Sequence, residues 1–345
     1  MVISMKDLIE KLTDAVGVSG DEAAAAAAAA ELLRPYGRVE ADALGNVLCT
    51  VKEPKEGGPH LLLDAHIDQI GLIVQEIDDK GFLKVANCGG MDRRVLMASE
   101  VTVHGKRPVY GVICSQPPHL AKEGDSKKAP KLEDIAIDVG LSKERAQELI
   151  ALGDRITLSG PVRETVNGQL VSQALDDRAS CAAIIRCLEL LQGKDIPCGL
   201  TVLFSTREEV GGQGARTGAF SVFPTRAIVV DVSFGYTPDS PRHKCGELGK
   251  GPMIGFAPTI SRRFSNELVE LAKANEIPYQ VEVMEGETGT NADQIVIAQS
   301  GVETGMVSIP LKYMHTPIET VDPADIETAA RLMAAYVQKG GEQSC

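Results

Sequence analysis

The sequence predicts an α/β protein in which a mostly parallel sheet, covered by helices, is interrupted by an inserted small β-rich domain. Before residue 71 and after residue 167, apolar strand-like runs alternate with helical segments, the pattern of βαβ units. Between residues 72 and 166, short alternating runs punctuated by glycine and proline replace that pattern. We therefore expect a main domain formed by residues 1–71 and 167–345, and an inserted domain at residues 72–166.

The first part of the main domain begins with two predicted helices. Residues 5–15 have the periodicity of an amphipathic helix, and a run of eight alanines predicts a second helix that ends before Pro35. Ser19 and Glu22 have the spacing of a capping box at its start. Residues 39–51 read as a hairpin, and residues 61–65 as a buried strand.

The inserted domain is predicted from five strand-like runs. These are LIVQEI, FLKVA, VTVHG, VYGVICS and DRITLSG. A helix is predicted at residues 142–152, and the charged, proline-containing residues 117–130 read as a flexible loop.

Helices and strands alternate again in the second part of the main domain. The predicted strands are residues 200–204, 227–232, 279–284 and 305–309, and the predicted helices are residues 179–191, 266–274, 292–299 and 323–337. We find no internal repeat.

Composition excludes several classes of protein. The 35 basic residues against 48 acids give a formal net charge of −13, which argues against nucleic acid or an anionic membrane as a partner. Residues 1–12 lack the basic start, long apolar core and cleavage site of a signal peptide, so we expect none there, and no apolar run reaches the roughly 18 residues of a membrane span. The eight cysteines form no CxxC pair, which favours reduced thiols in the cytoplasm over a thiolate zinc site.

Several predicted strands end in residues that commonly bind metals. The apolar run 200–204 leads to two adjacent acids and then two glycines. Three other runs also lead to polar side chains, and the residues concerned are His66, Asp68, Glu208, Glu209, Asp231 and His315. Because an open α/β sheet binds ligands beyond the carboxyl ends of its strands, this pattern indicates a metal site.

Each of these residues also has an ordinary structural explanation. A Glu-Glu pair is commonly an acidic turn in water, and a single buried histidine such as His66 is more often a hydrogen-bonded core residue. Asp176 and its neighbours equally suit a helix N-cap with a surface ion pair. Asp231 suits a turn cap, and His315 a loop.

Taken together, two histidines and three acids match a dinuclear centre. Two cations about 3.5–4 Å apart need one shared carboxylate and two private ligands each. The set His66, Asp176, Glu209, Asp231 and His315 supplies them, and Glu208 is then free to take a proton from water. The chain has no HExxH helix, no phosphate-binding loop and no GxSxG elbow, and the glycines after residue 210 read as a tight turn.

Five motifs carry a resemblance to a known family. They are AHIDQIG at 65–71, ALDDR at 174–178, EEVGGQGA at 208–215, VVDVSF at 229–234 and YMHTPIE at 313–319. In order and spacing they resemble the tetrahedral (TET) cytosolic aminopeptidases of glutamyl and leucyl type, whose relatives were once labelled endoglucanase or cellulase. The likeness runs through essentially the whole chain and implies a zinc-peptidase-like fold.

The resemblance assigns a role to each candidate residue. It implies Asp176 as the bridging ligand and a cis peptide bond after it. His66 and Asp231 would complete one metal site, and Glu209 and His315 the other. Glu208 would be the general base, and Asp68 would orient His66, as metal-bound imidazoles usually require.

The resemblance also predicts cofactors and assembly. Zinc is favoured by the ligand types, with cobalt or manganese as alternatives in vitro. The inserted domain would pair protomers, and the dimers would build a hollow dodecamer that admits peptide substrates. Two positions depart from the family, which usually has Glu at Gln69 and Asp at Asn291. We therefore assign no amino-acid preference at this point.

Two other functions are compatible with parts of the pattern. A glycoside hydrolase would follow the old family label, but it needs two carboxylates about 5–9.5 Å apart on either side of a sugar. The adjacent Glu208 and Glu209 do not provide that, and the chain has no tryptophan to stack on sugars. A non-catalytic oligomeric scaffold would be expected to have lost ligands, yet every expected ligand is present.

Overall fold

The structure is a computed structural model that describes residues 3–120 and 129–340. Its helices are α1 Met5–Thr13, α2 Ala23–Leu33, α3 Lys143–Leu149, α4 Leu175–Leu191, α5 Gln213–Val222, α6 Arg262–Ala274, α7 Ala292–Ile295 and α8 Pro323–Lys339. Its strands are β1 Arg38–Ala41, β2 Val47–Lys52, β3 His60–His66, β4 Gly71–Ile77, β5 Leu83–Cys88, β6 Glu100–His104, β7 Pro108–Ile113, β8 Ile137–Asp138, β9 Arg155–Leu158, β10 Arg163–Glu164, β11 Leu170–Ser172, β12 Gly199–Ser205, β13 Arg226–Phe234, β14 Met253–Phe256, β15 Gln280–Val283, β16 Glu303–Lys312 and β17 Glu319–Val321.

A large mixed sheet forms the main body of the molecule. Its strands follow the order β1-β2-β12-β3-β13-β16-β17-β11-β10, and β14 and β15 branch from β16. The central strands β12, β3, β13 and β16 are parallel, whereas the pairings towards β1 and β10 are antiparallel. Strands β3 and β12 are buried at every position, which explains why most of their residues are apolar. The predicted fold class is confirmed, with the parallel part at the centre of the sheet.

Helices cover both faces of this sheet. Leu61 and Leu63 of β3 belong to a core cluster that includes residues of α1, α2, α4 and α8. Leu62, between them, points to the opposite face and packs with residues of α5 and α7. This alternation follows from the two-residue period of a strand.

A closed barrel follows the third strand. Strands β4-β5-β8-β7-β6-β9 close on themselves around a separate apolar core that includes Leu72, Val101 and Ile156. Its strands lie between Gly71 and Leu158, and β10 already pairs in the large sheet. Of the predicted flexible loop 117–130, residues 121–128 lie outside the described residues.

Three local predictions differ from the structure. The helix predicted at 292–299 ends at Ile295, because the backbone turns and Val302 donates a hydrogen bond back to the Val296 carbonyl. The glycines after residue 210 do turn the chain, but a helix that was not predicted, α5, begins directly after them. Ser19 does not cap α2, since its hydroxyl donates to a buried carboxylate, that of Asp68.

Within the described parts of the chain, no helix is long and apolar enough to cross a membrane.

Candidate metal centre

The carboxyl ends of the four parallel strands bring the candidate residues to one edge of the sheet. His66 is the last residue of β3 and lies opposite Ser205 of β12. A short 3₁₀ turn at Glu208–Val210 follows β12 and carries the two adjacent acids. Asp231 lies near the end of β13, and His315 follows β16. The strand register therefore juxtaposes residues that are far apart in sequence.

Asp176 lies between the two histidines. Its Oδ1 is 3.0 Å from His66 Nε2, and its Oδ2 is 3.3 Å from His315 Nε2. Asp231 Oδ1 is 4.0 Å from the same nitrogen of His66, and Glu209 Oε1 is 3.4 Å from that of His315. Each imidazole thus faces one oxygen of Asp176 and one further acid.

Two overlapping groups of donor atoms are compact enough to hold a cation. One consists of His66, Asp176 and Glu209, and the other of His66, Asp177 and Asp231, with donor atoms within 4.8 Å of one another in each group. Asp177 was not among the predicted ligands. Its Oδ2 accepts the His66 backbone N–H at 3.2 Å, while the buried Oδ1 has no hydrogen-bond partner among the described residues.

The cluster concentrates negative charge at a site largely shielded from water. Burial raises the pKa of Asp231 well above its usual value and that of Glu208 to about 8. Burial lowers the pKa of His315, but the carboxylates of Asp176 and Glu209 outweigh it and raise that pKa to about 11. No lysine or arginine is among the described residues that line the adjoining cavity. Two imidazoles surrounded by a larger number of carboxylates are a donor set that fits divalent cations.

Asp68 ties the end of β3 to the acidic turn after β12. His66 Nδ1 is 3.0 Å from the main-chain oxygen of Asp68 and 3.4 Å from its carboxylate. A proton on Nδ1 leaves the lone pair of Nε2 facing Asp176. The Asp68 carboxylate accepts the backbone N–H groups of Glu208 at 3.0 Å and Glu209 at 3.3 Å. Asp68 therefore contacts the histidine mainly through its backbone and positions the acidic pair through its side chain.

Glu319 is a site residue that the sequence analysis did not single out. Its Oε2 accepts the backbone N–H of Asp176 at 3.1 Å, and its Oε1 accepts that of His315 at 2.8 Å. Its exposed fraction is 2%. One buried carboxylate thus fixes the backbones of two candidate ligands. Its place in the motif YMHTPIE was visible in the sequence, but nothing there marked it as buried.

Three residues beside or within the site have left-handed backbone conformations. Ala174 has a φ of 56°, Arg207 of 61° and His315 of 63°. Such conformations in residues other than glycine cost on the order of 1–3 kcal/mol and persist where the surrounding structure enforces them. The peptide bond between Asp176 and Asp177 is cis, as the resemblance implied.

The two positions that depart from the family lie close to the site. Gln69 is buried and exchanges main-chain hydrogen bonds with Gly17 and Ser19. Asn291 Nδ2 donates to Asp64 Oδ2 at 2.9 Å and to the Ser205 hydroxyl at 2.7 Å. An aspartate at 291 would place a second carboxylate against Asp64 in the interior, whereas the asparagine supplies donors.

A cavity of about 420 Å³ opens onto the cluster. Six of the residues described above line it, and its remaining wall is a mixture of apolar and polar residues. The wall includes Val232, Phe234, Met284, Met306 and Met314. The side chain of Glu282 also borders it. A cavity of this size beside a polar cluster can bind a small molecule or an amino-acid side chain.

Comparison with known proteins gives consistent matches. The M42 glutamyl aminopeptidase family model matches residues 45–332. The lysyl aminopeptidase of Pyrococcus furiosus is 33% identical over 344 residues, covering 96% of this chain and 96% of that protein. A solved TET aminopeptidase from a Thaumarchaeota archaeon of marine sediment has a TM-score of 0.92 at 30% identity, covering 97% of this chain and 96% of that one. The TET1 peptidase of Pyrococcus horikoshii, described as able to assemble into a tetrahedron or a large octahedral shell, has a TM-score of 0.85 at 30% identity, with coverages of 97% and 99%.

Proposed function

The chain belongs to the M42 glutamyl aminopeptidase family and is a metal-dependent aminopeptidase, and we propose that two divalent cations and a Glu208 general base perform its hydrolysis of N-terminal residues from peptides. The observation that carries this proposal is the position of Asp176, with one carboxylate oxygen towards each of two imidazoles. A carboxylate so placed suits a ligand shared between two cations.

We assign the remaining ligands by the side chains that flank each imidazole. Asp231 lies beside His66, and Glu209 beside His315, so that each cation has one histidine, one private acid and a share of Asp176. When bound, the cations would polarise the scissile carbonyl and lower the pKa of the attacking water. Zinc suits this mixture of imidazole and carboxylate, with cobalt or manganese as substitutes in vitro.

Glu208 would move the proton in this reaction. Its backbone is held by Asp68, and its side chain borders the cavity next to the ligands without being assigned to either cation. It would accept a proton from the attacking water and return it to the leaving amine. The turn that carries both acids directs Glu209 to the imidazole of His315 and leaves Glu208 for this role.

For the architecture, we propose that residues 72–166 form a dimerisation domain and that residues 1–71 and 167–345 form the catalytic domain. The closed barrel supports this, because it carries none of the assigned ligands and has its own core. By analogy with the TET1 peptidase, which is described as a dodecamer and as able to assemble into a tetrahedron, dimers would assemble into a dodecameric shell that admits peptides and excludes folded proteins. We place the enzyme in the cytoplasm, in keeping with the free thiols of its seven described cysteines.

One assay separates this function from a glycoside hydrolase and from a scaffold. The purified protein is tested on aminoacyl-p-nitroanilides and on carboxymethylcellulose, with and without a chelator, and its metal content is measured. We expect chelator-sensitive release of p-nitroaniline, no cleavage of cellulose and close to two ions per chain. Cleavage of cellulose would favour the glycoside hydrolase, and a metal-loaded protein inactive on every substrate would favour the scaffold.

A further inference from the structure

The cavity beside the metal centre is bordered by a carboxylate, Glu282, that the reaction itself does not need. Glu282 lies on β15, an edge strand that pairs with β14, and its side chain crosses towards the centre of the sheet. Its Oε2 accepts a hydrogen bond from Ser308 Oγ at 2.9 Å, and its Oε1 accepts one from Ser233 Oγ. The two hydroxyl donors, one on each oxygen, favour the ionised carboxylate, whereas burial raises the pKa of Glu282 above its usual value.

The strand register places this carboxylate close to the reaction centre. Ser233 lies two residues after the candidate ligand Asp231 on β13, so both side chains point to the same face of the sheet. Ser308 is the register partner of Asp231 on β16. Both hydroxyls that hold Glu282 therefore lie next to Asp231. Ser233 follows it on β13, and Ser308 lies opposite it on β16.

Apart from the acids and histidines, the cavity wall combines apolar side chains with the hydroxyls of Ser233, Thr288 and Thr290. Met284, Met306 and Met314 line it together with Phe234, and no described lysine or arginine borders the cavity. The missing side chain of Gly255 leaves room for Met284, whose Cε lies 2.9 Å from the position of a Cβ at that residue. Thioether side chains adapt to unbranched aliphatic chains.

We propose that the cavity selects peptides with a cationic N-terminal residue, lysine or arginine, through Glu282. This rests on the proposed function and adds the substrate class. The four-carbon stem of lysine would pack against the methionines while its ammonium group reaches Glu282. An acidic N-terminal side chain would meet Glu282 with no described lysine or arginine of the cavity wall to pair with it, so we expect this chain not to share the glutamyl preference in the family description.

The first test measures kcat/KM on lysyl, arginyl, leucyl and glutamyl p-nitroanilides. We expect wild-type protein to prefer lysine and arginine over leucine at least about tenfold, the usual scale of one charge-assisted contact. Glu282→Gln should lose at least about tenfold on the two cationic substrates and stay within about twofold on leucine. Glu285→Gln is the matched control, because it removes an exposed acid three residues further along the chain.

A binding measurement separates selectivity from a structural role. L-lysine and L-norleucine share the aliphatic stem and differ in the terminal ammonium, so calorimetry on the metal-loaded protein isolates the contribution of that charge. Wild-type protein should bind lysine more tightly, and Glu282→Gln should lose the difference. If Glu282→Gln is unstable, Glu282→Asp keeps the charge and should keep the order of preference.

Three results would overturn the inference: a wild-type preference for leucine or glutamate, an equal loss on all substrates in Glu282→Gln, or equal binding of lysine and norleucine. The equal loss would mean that Glu282 only ties β15 to the sheet. Absence of hydrolysis by metal-loaded protein would instead refute the proposed function, and the calorimetric comparison would then decide the inference alone.

Discussion

Replacing Glu319 by glutamine is expected to weaken metal binding although this side chain is not an assigned ligand. Its carboxylate accepts backbone N–H groups from Asp176 at 3.1 Å and from His315 at 2.8 Å. The amide of Glu319→Gln keeps one acceptor and turns an NH₂ donor towards the other N–H. One ligand backbone therefore loses its partner at a position that is 2% exposed.

The magnitude follows from the hydrogen bond that is lost. A hydrogen bond to a charged group contributes about 1.5–3 kcal/mol, which corresponds to about 10- to 100-fold in a binding constant. Outer residues that hold metal ligands have effects of about the same size. Because Glu319 contacts both the shared ligand and His315, the cation assigned to His315 should be lost first. Metal content should fall from about two ions per chain towards one.

The assay is metal retention against a chelator of known affinity, followed by metal analysis and kcat/KM. Asp325→Asn is the matched control, since that buried carboxylate accepts the N–H groups of Gly249 and Gly251, both at 2.7 Å, through its two oxygens. This control should retain metal like the wild type. Retention of both ions by Glu319→Gln at wild-type chelator concentrations would show that the ligands hold their positions without this carboxylate.

Three further predictions concern the assigned roles and the assembly. Asp176→Asn should lower metal content well below two ions per chain, because both cations share that residue, and two retained ions would place the bridge elsewhere, with Asp177 the first suspect. Glu208→Gln should keep both metals and lose about 10²-fold or more in kcat, the usual contribution of a general base. Glu209→Gln should lose metal instead, and reversed phenotypes would exchange the two roles. Light scattering should show a large assembly, expected to be twelve subunits. This assembly should trim short peptides and spare folded proteins. A fully active monomer would instead indicate that the barrel is a lid over the cavity.

Much of the sheet was predictable because its strands are buried on both faces. Uninterrupted apolar runs such as residues 200–204 leave few alternatives to a central strand. The polar residues after these runs must then lie at one edge, and His66 and Asp231 do. A β-rich insert was predictable from the short alternating runs between residues 72 and 166. Its closure was not, because it depends on the pairing of β4 with β9.

The residues that hold the site in place were harder to predict because their partners are distant in sequence. Ser19 has the spacing of a helix cap, but Asp68, a stronger acceptor 49 residues away, takes its hydroxyl. Helix α5 was missed because Gly212 and Gly214 suggested only a turn. Gly214 is small for another reason, since a Cβ there would lie 2.3 Å from Asn46 Oδ1. Local patterns do not record such contacts.

Two buried acids outside the ligand set, Asp68 and Glu319, hold different parts of the site in position. Asp68 fixes the backbone of the turn that carries Glu208 and Glu209, and it stands beside His66. Glu319 fixes the backbones of Asp176 and His315. Repulsion among the candidate ligands opposes their close approach, and the backbone N–H groups that Asp68 and Glu319 engage hold the ligand backbones against it. An unassigned side chain such as Glu319 should therefore influence how tightly the metals bind.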